Sequence, residues 1–190
     1  MSGLSNRKIR TIIYTLIMII GIGMAGSVWW IYFKQHRFKE YIDRKDGFSI
    51  RYPITWSYSK DIDGSAVVFI SQYDSSMDSF RENLSVNVLP LPNKKLRLVP
   101  YTQMYIEQMK YLFKDKISIE KPKYNIYLGK YRSASVVYTV KMPQNNIKYM
   151  SIWTLQNGKS YMLTYAAYPD RYNFYLDKVK KMIKSFKIIK

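Results

Sequence analysis

The chain is 190 residues long and carries 31 Lys and Arg against 13 Asp and Glu, a formal charge of +18, with one histidine and no cysteine. The missing cysteine excludes a lipid-modified cysteine anchor and a thiol nucleophile, and the lone His36, ahead of the folded domain, excludes a His-based triad within it. So cationic a chain attracts polyanions: anionic lipid headgroups, acidic wall polymers, an acidic protein surface or nucleic acid.

Residues 1–10 form a short tail with Arg7, Lys8 and Arg10. Thr11 to Phe33 follow as 23 residues without a charged side chain. About 20 helical residues cross the hydrocarbon core of a bilayer, so this run predicts a transmembrane helix. Trp29, Trp30 and Tyr32 suit the headgroup level, and Lys34 begins a basic flank continued by Arg37 and Lys39. A cleaved secretory signal is the rival reading, with Gly23 to Ser27 as its cleavage region. Against it, Val28 to Phe33 would leave an apolar free terminus. Gly21 and Ala25, like Gly23 and Ser27, stand four residues apart and offer a face for helix-mediated homodimerisation. Basic residues flank the run on both sides, so the positive-inside rule alone does not fix its direction.

A charged connector is expected over residues 34–46 and a domain over 47–190. The first 40 residues hold six Lys and Arg and one Glu, which leaves the remainder with 25 basic and 12 acidic residues, a charge of +13. Its tyrosines, with Trp56 and Trp153, supply the aromatic area for a packed core.

Gly47 to Tyr52 alternates apolar and polar residues, the period of a half-buried strand, and Pro53 closes it. Ser65 to Ile70 is a β-branched run after the turn signal Asp63-Gly64. Asn83 to Leu89 alternates again, with Leu84, Val86 and Val88 on one face. Pro100 to Lys114 reads as a helix whose apolar face is Tyr101, Met104, Tyr105 and Leu112, interrupted by Gln108. Ile117 to Leu128 is a weaker strand broken at Pro122. Three strands follow: Lys130 to Lys141, Ile147 to Gln156 and Lys159 to Tyr168. The last two are joined by Asn157-Gly158, a strong hairpin signal. A final helix is expected from Asp170, its cap, to about Phe186, with Leu176, Val179, Met182, Ile183 and Phe186 as its apolar stripe. Hairpin links and two interspersed helices predict an α+β fold, an antiparallel sheet flanked by helices and preceded by one transmembrane helix.

Several of these pieces resemble the PsbP family, the extrinsic proteins of the photosystem II oxygen-evolving complex and their bacterial PsbP-like relatives. They are Asp46-Gly47-Phe48-Ser49-Ile50-Arg51-Tyr52-Pro53 with Trp56, the strand Asn83 to Val88, the strand Tyr161 to Ala167, and the closing Ile183-Lys184-Ser185-Phe186. The resemblance spans about Tyr41 to Lys190. It implies an α/β/α sandwich, a location across the membrane from the cytoplasm, and a role in binding and assembly without catalysis. Photosystem II is the implied setting if the source is photosynthetic. Photosynthetic members are soluble after processing or lipid-anchored, whereas this chain keeps an apolar segment, and the metal-engaging histidines and carboxylates of some members have no counterpart.

No metal or other cofactor is expected. Asp61-x-Asp63-Gly64 resembles the opening of a calcium loop, but its further acidic ligands and closing glutamate are missing, and turn residues explain it better. Asp74, Asp78 and Glu82 are the remaining acidic candidates, with nothing to bring them together for acid–base work. Basic clusters are the candidate binding residues: Lys94, Lys95 and Arg97 before the first helix, and Lys178, Lys181 and Lys184 on the last. The expected partners are the bilayer through residues 11–33 and a protein or an anionic surface such as lipid or wall polymer. Nucleic acid is not expected for a domain outside the cytoplasm.

Overall fold

The computed structural model describes residues 37–73 and 80–189. The apolar run 11–33, the interface residues Trp29, Trp30, Tyr32 and Lys34, and also His36, Asp74 and Asp78 lie outside them. Among the described residues no helix is long and apolar enough to cross a membrane.

Strand β1 (Phe38–Asp43) pairs antiparallel with β2 (Phe48–Pro53), Phe38 opposite Pro53 and Asp43 opposite Phe48. The stretch expected as a charged connector therefore contains a strand. Tyr41 and Asp43 both turn inward, and an inward carboxylate hides the alternation. Asp43 is satisfied where it lies, accepting the Tyr41 hydroxyl at 2.9 Å and the Asp46 N–H at 3.0 Å. With the two-residue β11 (Lys187–Ile188), these strands make a small sheet in the order β1-β2-β11.

The large sheet has eight strands. Its path runs β3 (Ser57–Ile62), β4 (Ser65–Ile70), β5 (Asn83–Pro90), β10 (Lys159–Ala167), β9 (Ile147–Gln156), β8 (Tyr131–Val140) and β6 (Ile117–Ile119). Strand β7 (Lys123–Leu128) also pairs with β8, and the β6–β7 break falls at Pro122, where the sequence places it. The hairpin between β9 and β10 turns at Asn157 and Gly158, both with positive φ (53° and 75°), as the two-residue loop demands.

Successive residues of a strand face opposite sides, and Ile152 and Trp153 show which side is which. Ile152 joins the main core with Phe48, Ile50, Phe69, Leu84, Leu163 and Tyr165, beneath the small sheet and helix α2 (Tyr172–Ser185). Trp153 points the other way, into a second core with Val136, Tyr138 and Val140 beneath helix α1 (Leu98–Phe113). The molecule is thus an α+β fold of antiparallel sheets with two helices. The expected sandwich needs one amendment: the layer holding α2 also contains the small sheet.

Helix α1 packs through Leu98, Tyr101, Tyr105, Ile106, Met109 and Phe113. Met104 and Leu112, expected on the buried face, are 50% and 61% exposed, so that face is turned by less than one residue step. The sheet decides the turn, because Trp153 fills the space between Tyr101 and Tyr105, at ring distances of 6.1 and 4.9 Å. Beneath the helix the Tyr105 hydroxyl meets those of Tyr138 (3.3 Å) and Ser151 (3.1 Å), and Ser151 meets Thr164 (2.9 Å). Burial here raises the pKa of Tyr105, Tyr138 and Tyr149. At α2 the expected cap Asp170 falls one residue early. Arg171 holds the cap position, with no side-chain capping bond.

Candidate interaction surface

Register divides the domain into two ends. Phe38, where the chain comes into β1, lies opposite Pro53, and Trp56 follows on the same side, with its ring 5.8 Å from Tyr175 in the first half of α2. This is the near end. One strand length away, about 17 Å for six residues, the chain turns between β1 and β2.

Four other pieces meet that turn. The Ile189 N–H donates to the Gly47 carbonyl, and the Phe48 ring stacks on Phe186 just past α2. The Gly129 N–H between β7 and β8 donates to the Ile183 carbonyl at 2.9 Å. Tyr161 at the start of β10 packs on Phe186 (5.9 Å), which brings in the β9–β10 hairpin. The Leu91 N–H then ties the loop after β5 to the Gly158 carbonyl at 2.9 Å. These turns and the C-terminus of α2 make the far end.

The predicted basic residues divide accordingly. Lys94, Lys95 and Arg97 are exposed on the far-end loop, with the Lys94 stem beside Gly158. Lys184, in the last turn of α2, is exposed there too. Lys181 is exposed midway along the helix. Lys178 stays toward the near end, half-buried, with its ammonium 5.2 Å from the Tyr175 ring and 5.8 Å from that of Phe174.

Lys130, Arg132, Lys159 and Lys187 join the far end without having been singled out from the sequence. A signal for them exists. Residues 83–106, 121–169 and 178–190, which build most of this end, contain no Asp or Glu. The local acids come instead from the β1–β2 and β3–β4 turns: Asp46, and Asp61 and Asp63, of which Asp61 pairs with Lys45 at 3.3 Å. Asp61 and Asp63 both adopt positive φ (52° and 49°), the turn role expected for them.

Two clefts open on this basic region. One, of about 610 Å³, lies beside the start of α1 and is lined by Leu96, Arg97, Leu98, Tyr124, Asn125, Arg132 and Leu155, among others. The second, of about 480 Å³, lies between α2 and the sheet, with Met150, Ile152 and Ile183 as apolar lining and Lys180 and Lys184 beside them. Tyr127, 62% exposed, borders the second cleft. Glu82 is buried and accepts the Ser71 hydroxyl at 3.3 Å. Among the described residues no group of three or more His, Asp or Glu is placed to hold a metal ion.

An antiparallel sheet between one helix and a helix with a small sheet defines a small α+β sandwich domain. Residues 36–188 match the PsbP family, and the chain belongs to it. Comparison with curated proteins finds no significant match. Among solved structures the domain is similar to the cyanobacterial PsbP (CyanoP) of Synechocystis, with a TM-score of 0.59 at 18% identity over 80% of this chain and 92% of that one. It is also similar to the Ran-binding protein Mog1p of Saccharomyces cerevisiae, with a TM-score of 0.59 at 11% identity over 80% and 96%. A third is LpqN of Mycobacterium tuberculosis, described as involved in cell envelope biogenesis, with a TM-score of 0.55 at 10% identity over 84% and 95%. At these identities the likeness is one of fold.

Proposed function

We propose that this chain is a membrane-tethered, non-catalytic PsbP-family module that binds or helps assemble a partner outside the cytoplasm. An accessory role in a membrane complex, photosystem II in a photosynthetic source, is the form the family suggests. The observation that carries the reading is the division of the domain into two ends. Within the domain itself, the chain enters β1 at one end, and the exposed Lys94, Lys95, Arg97 and Lys184 with few acids among them lie at the other, a surface suited to a partner. Relatives by fold whose descriptions name what they bind or help build, Ran for Mog1p and the cell envelope for LpqN, support an interaction role. Protease shaving of intact cells or right-side-out vesicles is expected to digest the domain and spare the tether. Full protection of the domain would sink the orientation.

The excess of cations over acids at the far end favours a second reading, in which the partner is a polyanion such as anionic lipid or wall polymer. Phosphatidylglycerol vesicles are the convenient probe. Changing Lys94, Lys95 and Lys184 together to Glu is expected to weaken vesicle binding about a hundredfold at low salt, at ~1 kcal/mol per lysine. The same changes at Lys178 and Lys181 should matter less. Binding that neither salt nor these charges affect excludes this second reading.

A further inference from the structure

The cleft beside α1 differs from the open lysine surface around it in one respect: its arginine is held in place. The Arg132 carbonyl accepts the Thr154 hydroxyl at 2.9 Å, which fixes the backbone. The guanidinium is held by Asn125, whose side-chain oxygen accepts from Nε at 3.2 Å and also from Nη2. Asn125 reaches this position from an irregular strand. The β7–β8 register shifts between Tyr124 and Ile126, and Asn125 between them takes φ +59°. A bulge of this kind re-aims a side chain, and positive φ in a non-glycine residue is kept where the surroundings determine it.

A guanidinium has five N–H donors, of which Asn125 engages two. Nη1 and Nη2 each retain one on the end of the planar group, the parallel fork that an oxyanion accepts. Arg97 supplies a second cation to the same cleft, and no acidic residue lines it. Leu96, Leu98 and Leu155, with Val99 and Pro100, make most of the remaining lining apolar.

We propose that this cleft receives an acidic, apolar peptide segment of a protein partner. A carboxylate sits on the fork of Arg132 and near Arg97, and a neighbouring apolar side chain lies against Leu96, Leu98 and Leu155. A phosphate polymer satisfies the arginines but leaves the apolar walls uncovered, so the lining favours peptide. The proposal rests on the interaction-module reading and names the ligand class of that module.

The test uses the full chain in detergent micelles at physiological salt. Its probe is a fluorescent, capped heptapeptide alternating glutamate and leucine, compared with its glutamine counterpart. The glutamate peptide is expected to bind at least about tenfold more tightly, the gain of one charge-assisted fork. Arg132→Gln and Arg132→Lys are each expected to lose about that factor, the lysine because it keeps charge without the fork. Asn125→Gly tolerates the positive φ while removing the oxygen that orients Arg132, and should weaken binding by several-fold. Lys141→Gln, exposed past the opposite end of β8 and outside the cleft, should leave it nearly unchanged, and thermal melts confirm that each variant is folded. The proposal is overturned if both peptides bind alike, or if Arg132→Gln and Asn125→Gly bind as the parent does. It is also overturned if inorganic phosphate displaces the peptide at equal concentration, which would reassign the cleft to phosphate. Shaving separates the two claims: an accessible domain whose cleft ignores the peptide retains the module reading and loses this one.

Discussion

Gly129→Ala is expected to lower the melting temperature of the domain by roughly 10 °C, and Gly64→Ala by only a few degrees. The two glycines have similar backbones, φ +58° and +76°, so each alanine meets the same left-handed penalty of ~1–2 kcal/mol. Their surroundings differ. At Gly64 a new Cβ has nothing within 4 Å. At Gly129 it would stand 3.1 Å from the Phe186 carbonyl carbon and nearer still to its oxygen, both backbone atoms that cannot swing away. Relieving that contact means parting the β7–β8 turn from the end of α2. The Gly129–Ile183 hydrogen bond goes with it, and Phe186 leaves its stack on Phe48. Together these raise the cost to ~3–4 kcal/mol. Paired thermal melts check it. Equal shifts for the two variants would mean that this close approach is not what limits the turn.

How the chain signals its fold depends on whether each element has two different faces. β9 and β10 alternate cleanly and meet at Asn157-Gly158, so strand limits and pairing are legible from residues alone. β2 and β5 are legible for the same reason, and with the Trp56 segment they carry the family pattern. β1 is hidden because one of its two inward residues is Asp43, buried with its own hydrogen bonds. β3 is hidden because it is an edge strand, exposed along nearly its whole length, and has no apolar period to show. β11 is two residues held by pairing with Ser49 and Phe48, a tertiary fact. On α1 the apolar residues cover more of the helix than the sheet does, so the pattern permits several rotations and Trp153 selects one.

The site is less legible, for a different reason. Lys94, Lys95, Arg97 and Lys184 are visible as charge runs, but their gathering at one end depends on turns brought together by Gly47, Gly129 and Phe186. The run of residues 121–169 without an acid was readable. It supplies the β7–β8 and β9–β10 turns at this end but also the β8–β9 loop at the other, so it does not by itself locate the site. Asn125 gives no such sign, since its value lies in a bulge and a positive φ that only pairing with β8 imposes. Charge along a chain shows what attracts a partner; fold geometry shows where a partner is held.

Alkaline pH should unfold this domain abruptly. Burial, foremost, raises the pKa of seven tyrosines: Tyr41, Tyr105, Tyr138, Tyr149, Tyr161, Tyr165 and Tyr172. For Tyr172 the value is pushed up to about 12, by burial first and the Glu120 charge second. An unfolded tyrosine titrates near pH 10. Below that both states keep their protons, and stability from these groups is fully present. Above it the unfolded chain releases protons that the folded chain retains, so stability falls as pH rises, from about pH 10 to about 12 for Tyr172. Each such group contributes up to ~1.4 kcal/mol per pH unit, and several acting together exhaust a typical 5–15 kcal/mol within one to two units. Tyrosinate absorbance and far-ultraviolet circular dichroism should therefore change together, in one steep step above pH 10. Tyr138→Phe separates this linkage from simple loss of contacts. It sacrifices the bonds to Tyr105 and Ser151, ~1 kcal/mol at neutral pH, yet flattens the alkaline slope by up to ~1.4 kcal/mol per unit. Tyrosines ionising gradually near pH 10 in a domain that stays folded would show that their burial is not coupled to its stability.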